Sequence, residues 1–167
     1  MRYAEGPTVE VDVVVDAPVD RVWALVSDIN LPARFSSELQ EARWNEGSDD
    51  PRVGARFTGR NRHPAIGEWE TTCTVTEWEP ERSFGWLVGD PADPSARWRF
   101  DLDDLGGRVR LRQWAQIGPG WSGLSVAIEA RPDKEERIVA RRLEEHRANM
   151  LANLEGVKAL AEAGPPE

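Results

Sequence analysis

An α+β fold, with a curved antiparallel β-sheet wrapped around one long C-terminal helix and two short helices after the first strand, is predicted by three patterns in this chain. Val139, Leu143, His146, Met150, Leu154, Val157 and Leu160 recur at i, i+3/i+4, i+7 spacing within residues 133–163. That spacing stacks side chains on one face of a helix, so the stripe has to cover something and His146 points inward. Residues 53–117 break instead into short, Trp-rich runs separated by Pro, Gly and Asp clusters, the signature of strands joined by tight turns. Ahead of both, Val9, Val11, Val13 and Val15 alternate with Glu10, Asp12 and acidic Asp16, which marks a half-buried strand.

The elements follow in order. Asp16-Ala17-Pro18 opens a short helix with Pro18 in its first turn, where the missing N–H costs nothing, and Val19, Val22, Trp23 and Val26 form its buried face. Asn30-Leu31-Pro32 starts a second helical turn running through Phe35, and 38–44 reads as the next strand. A polar turn occupies 45–51. Strands are expected at 53–62, 69–78, 83–88, 95–102 and 108–117. On the last, Arg108, Arg110 and Arg112 face one way and Val109, Leu111, Gln113 and Ala115 the other, so one side of the sheet is wet. Residues 118–131 form an irregular or briefly helical bridge. Asp133 with Glu136 resembles a capping box for the final helix, and Asp133/Arg137, Arg141/Glu145 and Glu144/Arg147 are expected to pair along its solvent face. Gly164-Pro165-Pro166 ends it.

At 167 residues, with 40% hydrophobic and 31% charged residues, the chain fits a single domain, 1–167, with a core at about 8–163. A net charge of −9 disfavours nucleic acid and anionic lipid surfaces. No apolar run approaches the roughly 20 residues that span a bilayer, and the N-terminal segment has no signal-peptide core. The cytoplasm is therefore the expected compartment. The lone Cys73 excludes a disulfide framework and a multi-Cys zinc site.

Candidate chemistry is sparse. Residues 118–123, GPGWSG, match a G-x-G-x-x-G pattern, but the charged helix that follows lacks a second parallel strand and a ribose-binding acid. A flexible entrance loop fits better. His63, in a Pro-containing turn, and His146, on the helix, have no metal-ligand spacing, so neither a metal site nor a cofactor is predicted. Cys73, flanked by Thr71, Thr72 and Thr74, reads as a buried thiol. Trp69, Trp86 and Trp98 share the inward strand phase with Phe57, Phe84 and Phe100. Such residues either fill a core or line a small-molecule pocket. Asn61, Thr71, Gln113 and His146 are the polar interruptions on that surface. A buried His146 is expected to be neutral and to need a hydrogen-bond partner, either a backbone carbonyl or Gln113, or else a ligand.

The order of elements, together with residues 11–28 (VDVVVDAPVDRVWALVSD), 54–62 (GARFTGRNR), 69–75 (WETTCTV), 79–80 (EP) and 146–154 (HRANMLANL), resembles the helix-grip fold of the START/Bet v 1-like (SRPBCC) superfamily, polyketide cyclase/dehydrase-like branch. The resemblance implies a hydrophobic cavity between sheet and long helix, gated by loops and short helices. It carries no fixed catalytic motif, because fold does not give reaction. The expected function is binding of a lipid, quinone or polyketide-like molecule in that cavity by Asn61, Trp69, Thr71, Cys73, Trp86, Trp98, Phe100, Gln113, His146 and Met150, in a monomer or homodimer. The alternatives are an aromatase/cyclase with His146 as general acid/base, and a protein-interaction module whose groove holds a partner segment.

Overall fold

The computed structural model describes residues 1–48 and 50–164. Its strands are β1 (Thr8–Val15), β2 (Leu39–Trp44), β3 (Arg56–His63), β4 (Gly67–Glu79), β5 (Ser83–Val88), β6 (Ala96–Asp104) and β7 (Val109–Ile117). The helices are α1 (Val19–Val26), α2 (Leu31–Phe35), α3 (Gly123–Ala130) and α4 (Glu135–Glu162), with 3-10 turns at Tyr3–Glu5 and Pro132–Lys134. All strands pair antiparallel in the order β1-β7-β6-β5-β4-β3-β2. The two edge strands, β1 and β2, are consecutive in sequence, so α1 and α2 must cross from one edge of the sheet to the other. This connection closes one end of the concave face.

Period-2 patterning places the apolar rows. The register aligns Ala115, Trp98, Trp86 and Val75 across β7, β6, β5 and β4, and beside them Val11, Gln113, Phe100 and Phe84 across β1, β7, β6 and β5. Along β7, Val109, Leu111, Gln113 and Ala115 are buried while Arg108 and Arg110 are exposed, as the alternation predicts. The 28 residues of α4 lie over this face with Val139, Leu143, His146, Met150, Leu154 and Val157 buried. At roughly 2 kcal/mol per fully buried aliphatic side chain, this stripe is a main source of stability.

Several local expectations are corrected. Pro18 is the residue before α1, with an extended backbone, rather than part of its first turn. The proposed Asp133/Glu136 box does not form: Arg131–Lys134 closes into a 3-10 turn behind Pro132, Asp133 pairs with Arg131, and Lys134 precedes α4 without a side-chain cap. Proline fixes the backbone angle that this turn needs. Ion pairs Asp133/Arg137, Arg141/Glu145 and Glu144/Arg147 are absent among the described residues; Asp133 pairs with Arg131, and Glu145 turns to His63 and Arg142. The bridge after β7 contains a real helix, α3, in which Ser122 Oγ accepts from the Leu124 N–H and Ser125 Oγ accepts from the Ser122 N–H. The turn expected at 45–51 includes Asp49, and the stop expected at Gly164-Pro165-Pro166 includes its two prolines; these three positions lie outside the described residues.

Helix α2 is seated on α4 through one small residue. A Cβ on Gly156 would stand 2.5 Å from the Phe35 ring, far inside van der Waals contact. Substituting Gly156→Ala is therefore expected to cost about 1–2 kcal/mol net, since overpacking outweighs the roughly 1 kcal/mol that alanine gains in a helix. Thermal melts should show a drop of about 2–8 °C. A rise in melting temperature would mean that α2 is not held against α4.

Candidate functional site

Between the concave sheet and α4 lies a cavity in two connected chambers. The inner chamber, of about 140 Å³, is bounded by Phe57, Phe84, Trp86, Trp98 and Phe100 from the sheet, by α2 and its flanks, and by His146, Met150 and Asn153 from α4. The outer chamber, of about 400 Å³, is bordered by Ile66, Trp69, Trp121, Leu124 and Arg142. Glu38, Asn61, Thr71, Val88, Trp98 and His146 line both chambers, so they form the passage between them. Pockets that enclose drug-sized ligands measure about 300–1,000 Å³. The outer chamber alone lies at the lower end of that range, and the inner chamber alone falls below it.

Nine of the ten expected binding residues, Asn61, Thr71, Cys73, Trp86, Trp98, Phe100, Gln113, His146 and Met150, border the inner chamber, and Trp69 borders the outer one. The register brings them together, pairing Asn61 with Trp69 and Trp86 with Trp98 on neighbouring strands. Trp86 and Trp98 stack with centroids 6.4 Å apart and planes at 13°. Phe84 and Phe57 crowd the other side of Trp86 at 4.9 and 5.9 Å. Phe84 and Phe100 are fully buried. These rings therefore form both core and cavity wall. The sequence left open whether the aromatics fill a core or line a pocket, and the same surface does both.

His146 is 7% exposed. The edge of Trp98 meets its ring at 5.0 Å between centroids. Burial, reinforced by the positive charge of Arg142 and opposed by Glu38, pushes the imidazole pKa down to about 4, so the neutral form prevails at pH 7. Neither expected protein partner is present: Gln113 Oε1 accepts from Asn153 Nδ2 at 3.4 Å, and no hydrogen bond reaches the His146 ring among the described residues. Cys73 is 5% exposed, and burial pushes its thiol up to about 12 against a lowering hydrogen bond from Thr71. It offers the cavity a neutral, poorly nucleophilic surface.

At the passage stands an ionic cluster absent from the sequence reading. Arg142 donates to both carboxylate oxygens of Glu38 at 2.7 Å, with side-chain exposures of 13% and 12%. Asn149 donates to Glu38 at 3.3 Å and accepts from Ser37 at 3.1 Å. Glu145 hydrogen-bonds His63, which ends β3 and, as expected, opens the Pro64-containing turn closed by the Ile66 N–H on the His63 carbonyl. One ligating atom each from Glu38, His63 and Glu145 fall within 4.8 Å of one another. Arg142 already supplies positive charge there, and its fork engages both Glu38 oxygens, so the cluster is an ion-pair network joining the segment just before β2 to β3 and α4. These residues come from three distant segments, and no spacing connects them. Asn149 and Asn153 were findable: they lie three and seven residues after His146 on its own helical face.

The expected entrance loop does border the outer chamber through Trp121, Ser122 and Gly123. It is well anchored. The Gly120 N–H donates to Pro94 at 3.0 Å, and Tyr3 donates to the Gly120 carbonyl at 2.5 Å. A Cβ on Gly120 would stand 2.1 Å from the Asp93 carbonyl oxygen, which explains this glycine by close packing rather than by phosphate binding. No helix is long and apolar enough to cross a membrane among the described residues.

Residues 6–159 match the sequence model of the family described as polyketide cyclase/dehydrase and lipid transport. Among solved structures, a polyketide-cyclase-like protein of Corynebacterium glutamicum is similar at 29% identity and TM-score 0.68, over 93% of this chain and 91% of that one. The Zhui aromatase/cyclase of Streptomyces sp. R1128 superposes with TM-score 0.68 at 18% identity, over 96% and 99% of the two chains. The di-domain aromatase/cyclase of the steffimycin pathway matches with TM-score 0.70 at 16% identity over 93% of this chain, which spans about half of that protein, 51%. No curated protein matches the chain in sequence. The match over nearly the whole length, together with the sheet, the connecting helices and the long helix over the cavity, places the chain in the polyketide cyclase/dehydrase and lipid transport family, with the expected helix-grip fold.

Proposed function

We propose that this protein binds a hydrophobic or aromatic small molecule that extends through both chambers, held by Trp69, Trp86, Trp98 and Phe100 and oriented by Asn61, Thr71, Gln113 and His146. The observation that carries the reading is a cavity with aromatic walls, lined also by His146, whose ring has no hydrogen-bond partner among the described residues. Apolar burial supplies affinity, and the few polar groups set orientation. The cavity beneath α4 also weighs against a module whose core is filled and whose groove serves a partner protein.

A cyclase reading draws on the family description. It requires catalysis largely by confinement of reacting carbons, because a histidine with pKa about 4 is protonated in only about one molecule per thousand at pH 7 and is a poor general acid there.

Titrating the purified protein with quinones, sterols, fatty acids and aromatic polyketides should quench tryptophan fluorescence for at least one class. The same ligand at about 100 times its Kd should raise the melting temperature by about 5–10 °C. Trp86→Leu should weaken it at least tenfold. If no class changes either signal, the binding reading is wrong.

A further inference from the structure

We infer that the end of the sheet at which the outer chamber lies is a docking surface for a zwitterionic phospholipid bilayer, anchored by Trp121, Ile66 and Val126. Strand direction alternates from β2 to β7, so the connections leaving β3, β5 and β7 all lie at one end of the sheet. Ile66, Ser95, Trp121 and Leu124 border the outer chamber there. The three connections touch one another. A Cβ on Gly123 would stand 3.9 Å from Ile66 Cγ2, and the Gly120 N–H donates to Pro94 at 3.0 Å.

Much of what this end exposes is apolar. Pro64, Ala65, Ile66 and Gly67 form the exposed tip of the β3–β4 hairpin, and residues 118–128 contain no charged side chain in a chain that is 31% charged. Helix α3 buries Ser125 and Ile128, yet exposes Gly123, Val126, Ala127 and Ala130 at i, i+3, i+4 and i+7. A surface helix ordinarily turns charge outward, as α4 does with Arg137, Arg141 and Glu144. Trp121 is 62% exposed, Val126 56% and Ile66 46%. The other seven tryptophans are at least partly covered. At the opposite end the turns carry Glu46, Arg52, Glu81, Arg82 and Arg108.

Area, anchoring and charge select the occupant. Since a large aromatic covers about 150–250 Å² when buried, the three anchors expose on the order of 300 Å², short of the roughly 800 Å² per partner of a standard protein interface. Shallow insertion at the headgroup boundary needs less, and tryptophan favours that depth. The Tyr3 hydroxyl bonds the Gly120 carbonyl and Ser122 Oγ, holding the chain on both sides of Trp121, so little freedom remains to be lost on docking. Among the flanking charges Glu68, Asp90, Asp93 and Glu129 outnumber Arg62 and Arg131, which repels anionic headgroups and tolerates neutral ones. Docked this way, the outer chamber faces the lipid. Passage of a ligand from the bilayer into it is the one step that rests on the small-molecule reading above.

Flotation of the purified protein with phosphatidylcholine vesicles at about 1 mM lipid tests the docking surface. The native protein should float, and phosphatidylcholine brominated on its acyl chains should quench Trp121. Trp121→Ser is expected to lower partitioning at least tenfold, and Ile66→Ser and Val126→Ser about three- to fivefold each. Leu105→Ser and Val53→Ser remove side chains that are 48% and 61% exposed in turns at the opposite end, and should change it less than twofold. Vesicles containing 30% phosphatidylglycerol should bind no better than neutral ones. Absence of flotation, equal losses in the two sets of variants, or a several-fold gain on anionic vesicles overturns the inference. So does self-association in sedimentation velocity that Trp121→Ser abolishes, which would give the surface to a second copy of the chain. None of these results touches the small-molecule reading, whose titration is made on the native protein without vesicles.

Discussion

Arg142→Met is expected to destabilise the protein by on the order of 3 kcal/mol in urea unfolding, the loss that follows when one partner of a buried ion pair is removed and the other is stranded. Arg142 and Glu38 are only 13% and 12% exposed and meet through two 2.7 Å hydrogen bonds, so solvent screens them little. The double variant Glu38→Met/Arg142→Met should recover at least half of the loss, because it removes both charges and leaves apolar side chains of similar length. This compensation separates a stranded charge from a general packing defect. A single-variant cost below about 1 kcal/mol would instead assign the pair to the weak class of solvated surface bridges. Since Arg142 also lowers the His146 pKa, the single variant should make that histidine easier to protonate.

Acid should unfold the native protein more readily than His146→Gln. Unfolded, the imidazole titrates near its ordinary 6.5; folded, burial and Arg142 hold it down to about 4. Between those values the unfolded chain carries a proton that the folded chain refuses, so stability falls as pH drops from about 6.5 to 4. The accumulated loss is on the order of 3 kcal/mol. Glu38, Arg142, Glu145 and His63 surround the helix in both proteins, so subtracting the two urea-unfolding curves isolates His146. The difference should be flat above pH 7 and should grow steadily below pH 6.5 in favour of the glutamine variant. A flat difference down to pH 4 would show that the ring accepts its proton in place.

The strands were legible because a sheet writes its two faces into the sequence with period 2. Trp86 and Trp98 could be put on the inner face from parity alone, as could Phe100 and Gln113. The stripe from Val139 to Val157 was legible for the parallel reason that a helix repeats every 3.6 residues. Where the reading failed, local signals competed with packing. Asp133 and Glu136 have the spacing of a cap, but Pro132 tightens that segment into a 3-10 turn. Glu145 looks like a surface partner for Arg141, yet it serves His63, 82 residues away in sequence.

The hydrogen bond expected for His146 shows the same limit. Periodicity buried the ring correctly, but it could not reveal that Asn153, seven residues along the same face, takes Gln113 instead. That choice depends on how far α4 sits from β7.

What the sequence determined by itself was the alternation of strands, the long amphipathic helix and the inward phase of the aromatics, since each follows from backbone periodicity and side-chain polarity within a short window. Only the tertiary structure decided that the cavity has two chambers, that Glu38, His63, Arg142 and Glu145 meet at the passage between them, and that the His146 ring has no hydrogen-bond partner among the described residues. Those facts depend on strand register and on how one helix docks, and both arise from contacts between residues tens to more than a hundred positions apart.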